Sequence, residues 1–165
     1  MNTSSVEGIF NPPSTYQDWL ECLEAMKTGA GNAAAVEAAV RGSFNGSEAT
    51  LAALQKQIID TVNHILNKSA KRFVRDLNEC LEFNDLTQIE LLFLRLKKDV
   101  HRTLFFQSLI FLPADFRFEL SDLVNKQMNG FWKDIVKSLY DQSLEISNSQ
   151  LEDALFLIKR IHLFE

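Results

Sequence analysis

The sequence predicts an all-α fold: an up-and-down antiparallel helical bundle with three long helices plus shorter N- and C-terminal helices. Three observations predict it. Every strongly patterned segment repeats its apolar residues in steps of three and four, and none alternates strictly as a half-buried strand would. The connections at 82–86, 112–115 and 146–149 are short, which makes consecutive long helices antiparallel neighbours. The 165 residues are 46% apolar by type, enough for one domain to bury a core without metals or disulfide staples. Residues 1–13 read as a flexible N-terminus and 14–165 as a single helical-bundle domain. Residues 29–47 form a weakly ordered connector inside it, with a short Ala-rich helix.

The elements follow in order. Ser14 reads as an N-cap, with Gln17 three positions on to close a capping box. The helix that follows carries Trp19, Leu20, Leu23 and Met26 on one side and stops at Thr28-Gly29. Asn32 caps a short Ala-rich helix over 33–41, and Gly42 and Gly46 bracket a loop. Alanines let a neighbour approach closely but bury little area, so this part of the chain is expected to be the least anchored.

From Ser47 the spacing becomes long and regular: Leu51, Leu54, Ile58, Val62, Ile65, Ser69, Phe73, Leu77 and Cys80 form one stripe. A continuous helix of this length spans about 50 Å. Asn67–Ser69 is the place where it would break, since Asn and Ser favour local backbone bonding. Asn84-Asp85 ends it, and Asp85 with Gln88 gives a second cap. A helix from Leu86 to about Phe111 then carries Ile89, Leu92, Phe93, Leu96, Val100 and Leu104. The density of IELLFLRL at 89–96 points to burial on more than one side of that helix.

Pro113 breaks the chain, because it lacks a backbone donor and holds Leu112 extended. The next helix carries Phe116, Leu120, Leu123, Gln127, Phe131, Ile135 and Leu139. Asn129-Gly130 is a local turn signal, but the apolar spacing runs through it, which predicts one long helix with a kink or weak point. Ser149 and Glu152 open a final helix with Leu151, Leu155, Ile158 and Ile161 or His162. Its greasy end is suited to docking on the bundle or on a second copy.

The net charge of -5 gives no global attraction for nucleic acid or anionic lipid. Local charge differs. Residues 1–66 carry three cations and seven anions, a balance of -4, and residues 67–102 carry eight cations and six anions, a balance of +2. A polyanion site therefore belongs in the second stretch. Cys22 and Cys80 show no framework spacing and read as reduced thiols. The N-terminus has neither a basic start nor an apolar core, and the greasiest run, LFFQSLIFL at 104–112, is far short of a membrane span. The expected location is cytoplasmic.

Signatures of chemistry are absent. His64, His101 and His162 fall on different predicted helices, with no HExxH, no ExxH and no paired-cysteine spacing. There is no GxSxG and no phosphate loop. GAGNAAA imitates a glycine fingerprint but has no strand before it. Glu21 with Glu24, Asp76 with Glu79 and Glu119 with Asp122 sit on polar helix sides, and Glu21 and Glu24 would raise the pKa of Cys22 rather than activate it. No cofactor or metal is expected.

Two surfaces remain. Lys68, Lys71, Arg72 and Arg75 make a basic ridge on one helix, and Arg95, Lys97, Lys98 and Arg102 another on the next. Positions equidistant from the turn near 84 face each other, so the two groups lie at one height and merge into a patch. Its ordinary reading is a solvated face paired with Asp76, Glu79 and Asp99. The others are an acidic protein partner or a phosphate backbone.

The second surface is aromatic. Phe105, Phe106, Phe111, Phe116 and Phe118 crowd one tight turn, with Trp132 beside Phe131 on the following helix and Phe164 in the tail. One buried stripe cannot absorb them. Either the Ala-rich region or the C-terminal helix covers them, or they are a patch awaiting a partner chain. The pattern implies a non-catalytic protein-interaction or regulatory module with a protein partner, and surplus apolar surface suited to a homodimer. The alternatives are a nucleic-acid or polyanion binder using the basic patch, and an enzyme of unrecognised type with a pocket inside the bundle.

Overall fold

Local bonding at Thr15 fixes where the first helix begins. Thr15 Oγ1 accepts from Asp18 N at 3.2 Å, and Asp18 Oδ2 accepts from Thr15 N at 2.9 Å and Ser14 N at 3.1 Å. The capping box is therefore Thr15 with Asp18, one residue past the Ser14–Gln17 pair that the sequence suggested. A short carboxylate at the third helical position closes the box as a longer side chain would. Helix α1 (Tyr16–Thr28) ends at Gly29, whose φ of 81° is the left-handed conformation that glycine adopts without a Cβ clash.

The computed structural model describes residues 10–29, 32–83 and 87–146. They form an all-α fold, with no strand among the described residues. After α1 come α2 (Asn32–Val40), α3 (Glu48–Glu82), α4 (Thr87–Leu104), a 3-10 turn (Phe105–Ser108) and α5 (Ala114–Ile146). Helix α3 runs 35 residues without a break at Asn67–Ser69, and α5 runs unbroken through Asn129-Gly130. The expected final helix, Phe164 and the Asp85 cap lie outside the described residues.

Helix α4 stops at Leu104, short of the expected Phe111. Ser108 Oγ donates to Phe105 O at 2.6 Å, and Leu109 N and Leu112 N each donate to the carbonyl three residues back. These local bonds replace the helical ladder, and Pro113, whose carbonyl takes Arg117 N at 3.0 Å, starts α5.

The chain divides into two compact units. The first contains residues 1–65 and 102–121, the second residues 66–101 and 122–165. In the first unit Trp19, Cys22, Leu23 and Met26 of α1 are buried, as are Ala35, Ala38 and Ala39 of α2. Helix α2 packs on α1, and Cys22 Sγ donates to Ala35 O at 3.2 Å. The loop behind α2 is tied down by Trp19 Nε1 donating to Ser43 O at 2.7 Å and by backbone bonds from Ser43 to Pro13 and from Asn45 to Ser14.

In the second unit Phe73, Leu77, Ile89, Leu92, Phe93, Leu96 and Ile135 form the core, with Phe131 and Trp132 packed on it. Rings meet edge to face: Phe73 with Phe93 at 4.7 Å, Phe73 with Phe131 at 5.8 Å and Phe93 with Trp132 at 5.3 Å. The apolar stripes read from the sequence supply these residues. Small shifts occur along them: Leu66 is buried rather than Ile65, and Val124 and Met128 are buried more deeply than Leu123 and Gln127.

Candidate functional site

The turn between α4 and α5, in the first unit, sorts its aromatic residues by depth. Phe106 and Phe116 are buried and belong to the core. Phe105 is half-buried and lies tilted against Phe106, with ring centroids 4.1 Å apart. Phe111, also half-buried, lies against Trp19 at 5.4 Å and Phe44 at 6.0 Å. The Ala-rich side of the molecule thus covers part of the cluster: α2 packs against the 3-10 turn, and the loop after α2 supplies Phe44.

What this cover leaves out is Phe118, which is 77% exposed, and Ile110, which is 90% exposed. Arg117 Nη1 donates to Gln107 O at 3.3 Å and ties the start of α5 to the 3-10 turn, so the backbone beneath Phe118 is held. Asp115 and Glu119, both exposed, stand beside Phe118 on α5 and give it an acidic rim. The sequence placed Phe118 among the candidates and missed Ile110. The signal for Ile110 was its position in a run denser in apolar residues than one buried side can absorb.

The basic residues lie mostly in the second unit. Lys68, Lys71, Arg72, Arg75, Arg95 and Lys98 are exposed. Arg72 of α3 pairs with Asp99 of α4, and Ser69 Oγ donates to the same Asp99 oxygen at 3.0 Å. Asp76 takes Arg75 at 2.8 Å and Arg95 of α4 at 3.7 Å. The earlier α3 residue, Arg72, thus pairs with the later α4 residue, Asp99, and the later one, Asp76, with the earlier Arg95, the order that antiparallel neighbours require. Arg102 is half-buried, has partners of its own and belongs to the first unit.

Trp132 is half-buried against Phe93 in the second core. The outer side of α4 holds two residues that the sequence reading did not single out: Leu91 is 53% and Leu94 50% exposed. The density of IELLFLRL was their signal, and it marked a second apolar side that no described element covers fully.

Groups with chemical potential are dispersed. Burial pushes the Cys22 thiol up to about 11, so desolvation, rather than Glu21 and Glu24, sets it. His64 and His101 are each exposed, and no three His, Cys, Asp or Glu side chains converge as a metal site among the described residues. Among the described residues no helix is long and apolar enough to cross a membrane. No family model, curated protein or solved structure matches the chain.

Proposed function

We propose that this protein is a non-catalytic interaction module that docks a partner protein through the turn between α4 and α5. The observation that carries this reading is the exposure of Phe118 and Ile110 beside aromatic neighbours that are packed. Large apolar side chains held in water cost free energy, and burying each against a partner recovers about 1.5–3 kcal/mol. Aromatic residues on a rigid support are frequent anchors of interfaces.

The rim of Asp115 and Glu119 specifies the partner's chemistry. The fitting segment carries an apolar side chain for Ile110 and a lysine or arginine for the face of Phe118 and its carboxylate neighbours. Phe106 and Phe116 hold the platform from inside and do not touch the partner.

The test is site-specific photo-crosslinking in the cells that make the protein, with a photoreactive phenylalanine analogue in place of Phe118. The reading expects one dominant crosslinked protein, which disappears when Ile110→Ser is added. A smear of unrelated adducts, or an adduct indifferent to Ile110→Ser, would contradict it.

A further inference from the structure

Helix α4 in the second unit has an apolar face where a surface helix should be polar. Its buried row is Ile89, Leu92, Phe93, Leu96 and Val100. At about 100° per residue, Leu91, Leu94 and Lys98 fall on the opposite side. Both leucines are about half exposed, and they are three residues apart, the spacing at which two side chains on a helix meet one groove of a partner helix. The charged residues one turn from them are Arg95, Lys97 and Lys98, with Glu90 the single anion.

The cations of α3 extend this face. The Arg72–Asp99 and Arg95–Asp76 pairs cross between α3 and α4, so the ridge of Lys68, Lys71, Arg72 and Arg75 borders the side of α4 that carries Arg95. Asp76 and Asp99 pair with Arg72, Arg75 and Arg95, and Glu79 and Glu82 stand exposed farther along α3. Lys71 and Lys98 stand exposed on this face.

We infer that this face docks an acidic amphipathic helix of a partner protein, its apolar side chains seated on Leu91 and Leu94 and its carboxylates on Lys71 and Lys98. Two half-exposed leucines supply on the order of 200 Å² of apolar area, well below the roughly 1,200 Å² of a stable interface. Charge complementarity must therefore supply much of the recognition. A second copy of the chain is a poor occupant, because its α4 would bring the same cations against these.

Single-stranded nucleic acid is also a poor fit. Its binders interleave cations with several exposed aromatic rings, whereas Phe73 and Phe93 lie inside the core and Phe83, past the end of α3, is the one exposed ring among the described residues of the second unit. A membrane surface wants a broad apolar face lined with aromatic residues, whereas the large apolar residues exposed among the described residues of the second unit are Leu91, Leu94 and the single ring of Phe83 past the end of α3.

The test uses the full chain and a fluorescent synthetic peptide of about 15 residues, long enough to be helical when docked. Its leucines are spaced by three and four and its other positions are mainly glutamate. Anisotropy titrations compare it with the same peptide bearing lysine for glutamate, with vesicles rich in phosphatidylserine, and with a single-stranded oligonucleotide. The acidic peptide should bind, weakening as salt rises from about 50 to about 300 mM. Leu91→Ser with Leu94→Ser should weaken it about tenfold or more, as should Lys71→Gln with Lys98→Gln, while Phe118→Ala should leave it unchanged. Absence of binding, binding that ignores the leucine changes, or preference for the vesicles or the oligonucleotide would each overturn the inference.

Discussion

Asp99 and Ser69 meet across two helices: the Ser69 hydroxyl donates to the Asp99 carboxylate at 3.0 Å, and Arg72 pairs with the same oxygen. Both Asp99 and Ser69 are buried, so this small polar group fixes α3 against α4 at one height. Asp99→Ala should cost about 2 kcal/mol, because Ser69 loses its acceptor while the half-exposed Arg72 finds water again. Asp99→Asn should cost less, since the amide oxygen still takes the Ser69 bond. Urea unfolding midpoints of the two variants check the order.

Gly42 is fixed by a neighbour. A Cβ there would stand 2.6 Å from Trp19 Cζ2 and 3.0 Å from Ala39 O. The indole is fully buried and held by its bond to Ser43 O, so it has nowhere to retreat. Gly42→Ala should destabilise the protein by about 1–3 kcal/mol. Near-ultraviolet circular dichroism should report the disturbed tryptophan in the same variant.

Gly130 predicts the opposite sign. It lies inside α5, and a Cβ there would meet nothing within 4 Å. Gly130→Ala should stabilise by up to about 1 kcal/mol, through helix propensity alone. A thermal melt that falls instead would mean that this stretch of α5 needs the glycine.

Cys22 gives a pH dependence. Burial raises its thiol from 9.0 to about 11, so the folded state holds this proton more tightly than the unfolded chain does. Its contribution is intact below pH 9.0 and is lost as the pH climbs toward about 11. The stability difference between the wild type and Cys22→Ala should shrink across that window. At pH 8, an aromatic disulfide reagent should label the half-buried Cys80 first and reach Cys22 only as the chain opens.

The helices were legible because each long one buries a stripe of large apolar residues. Leu54, Ile58, Val62, Phe73 and Leu77 repeat at helical spacing, and burial follows that spacing directly. The choice of Leu66 over Ile65 was not legible, since both fit a step of three or four. The end of α4 was not legible for a related reason: the apolar density continues past Leu104, and periodicity carries no sign of the Ser108 hydroxyl capturing Phe105 O. The Trp19–Ser43 bond joins residues 24 apart, and no local pattern announces it.

The candidate surfaces were legible only in part. The crowd of phenylalanines near Pro113 revealed that something must cover them, and in the structure α2 packs on the 3-10 turn that holds Phe106, while Trp19 of α1 and Phe44 of the loop after α2 cover Phe111. Which residues stay outside depends on that packing, so Phe118 was named among buried neighbours and Ile110 was missed. The cations were found by spacing, but their partners Asp76 and Asp99 come from a register that spacing alone leaves approximate.

The most direct measurement of the central claim is quantitative mass spectrometry of proteins co-purified from the native host, with wild-type chain beside a Phe118→Ala, Ile110→Ser variant of equal thermal stability. One stoichiometric protein is expected on the wild type, reduced about tenfold or more on the variant, with the rest of the background unchanged. Equal recovery of every protein on both chains would contradict the claim.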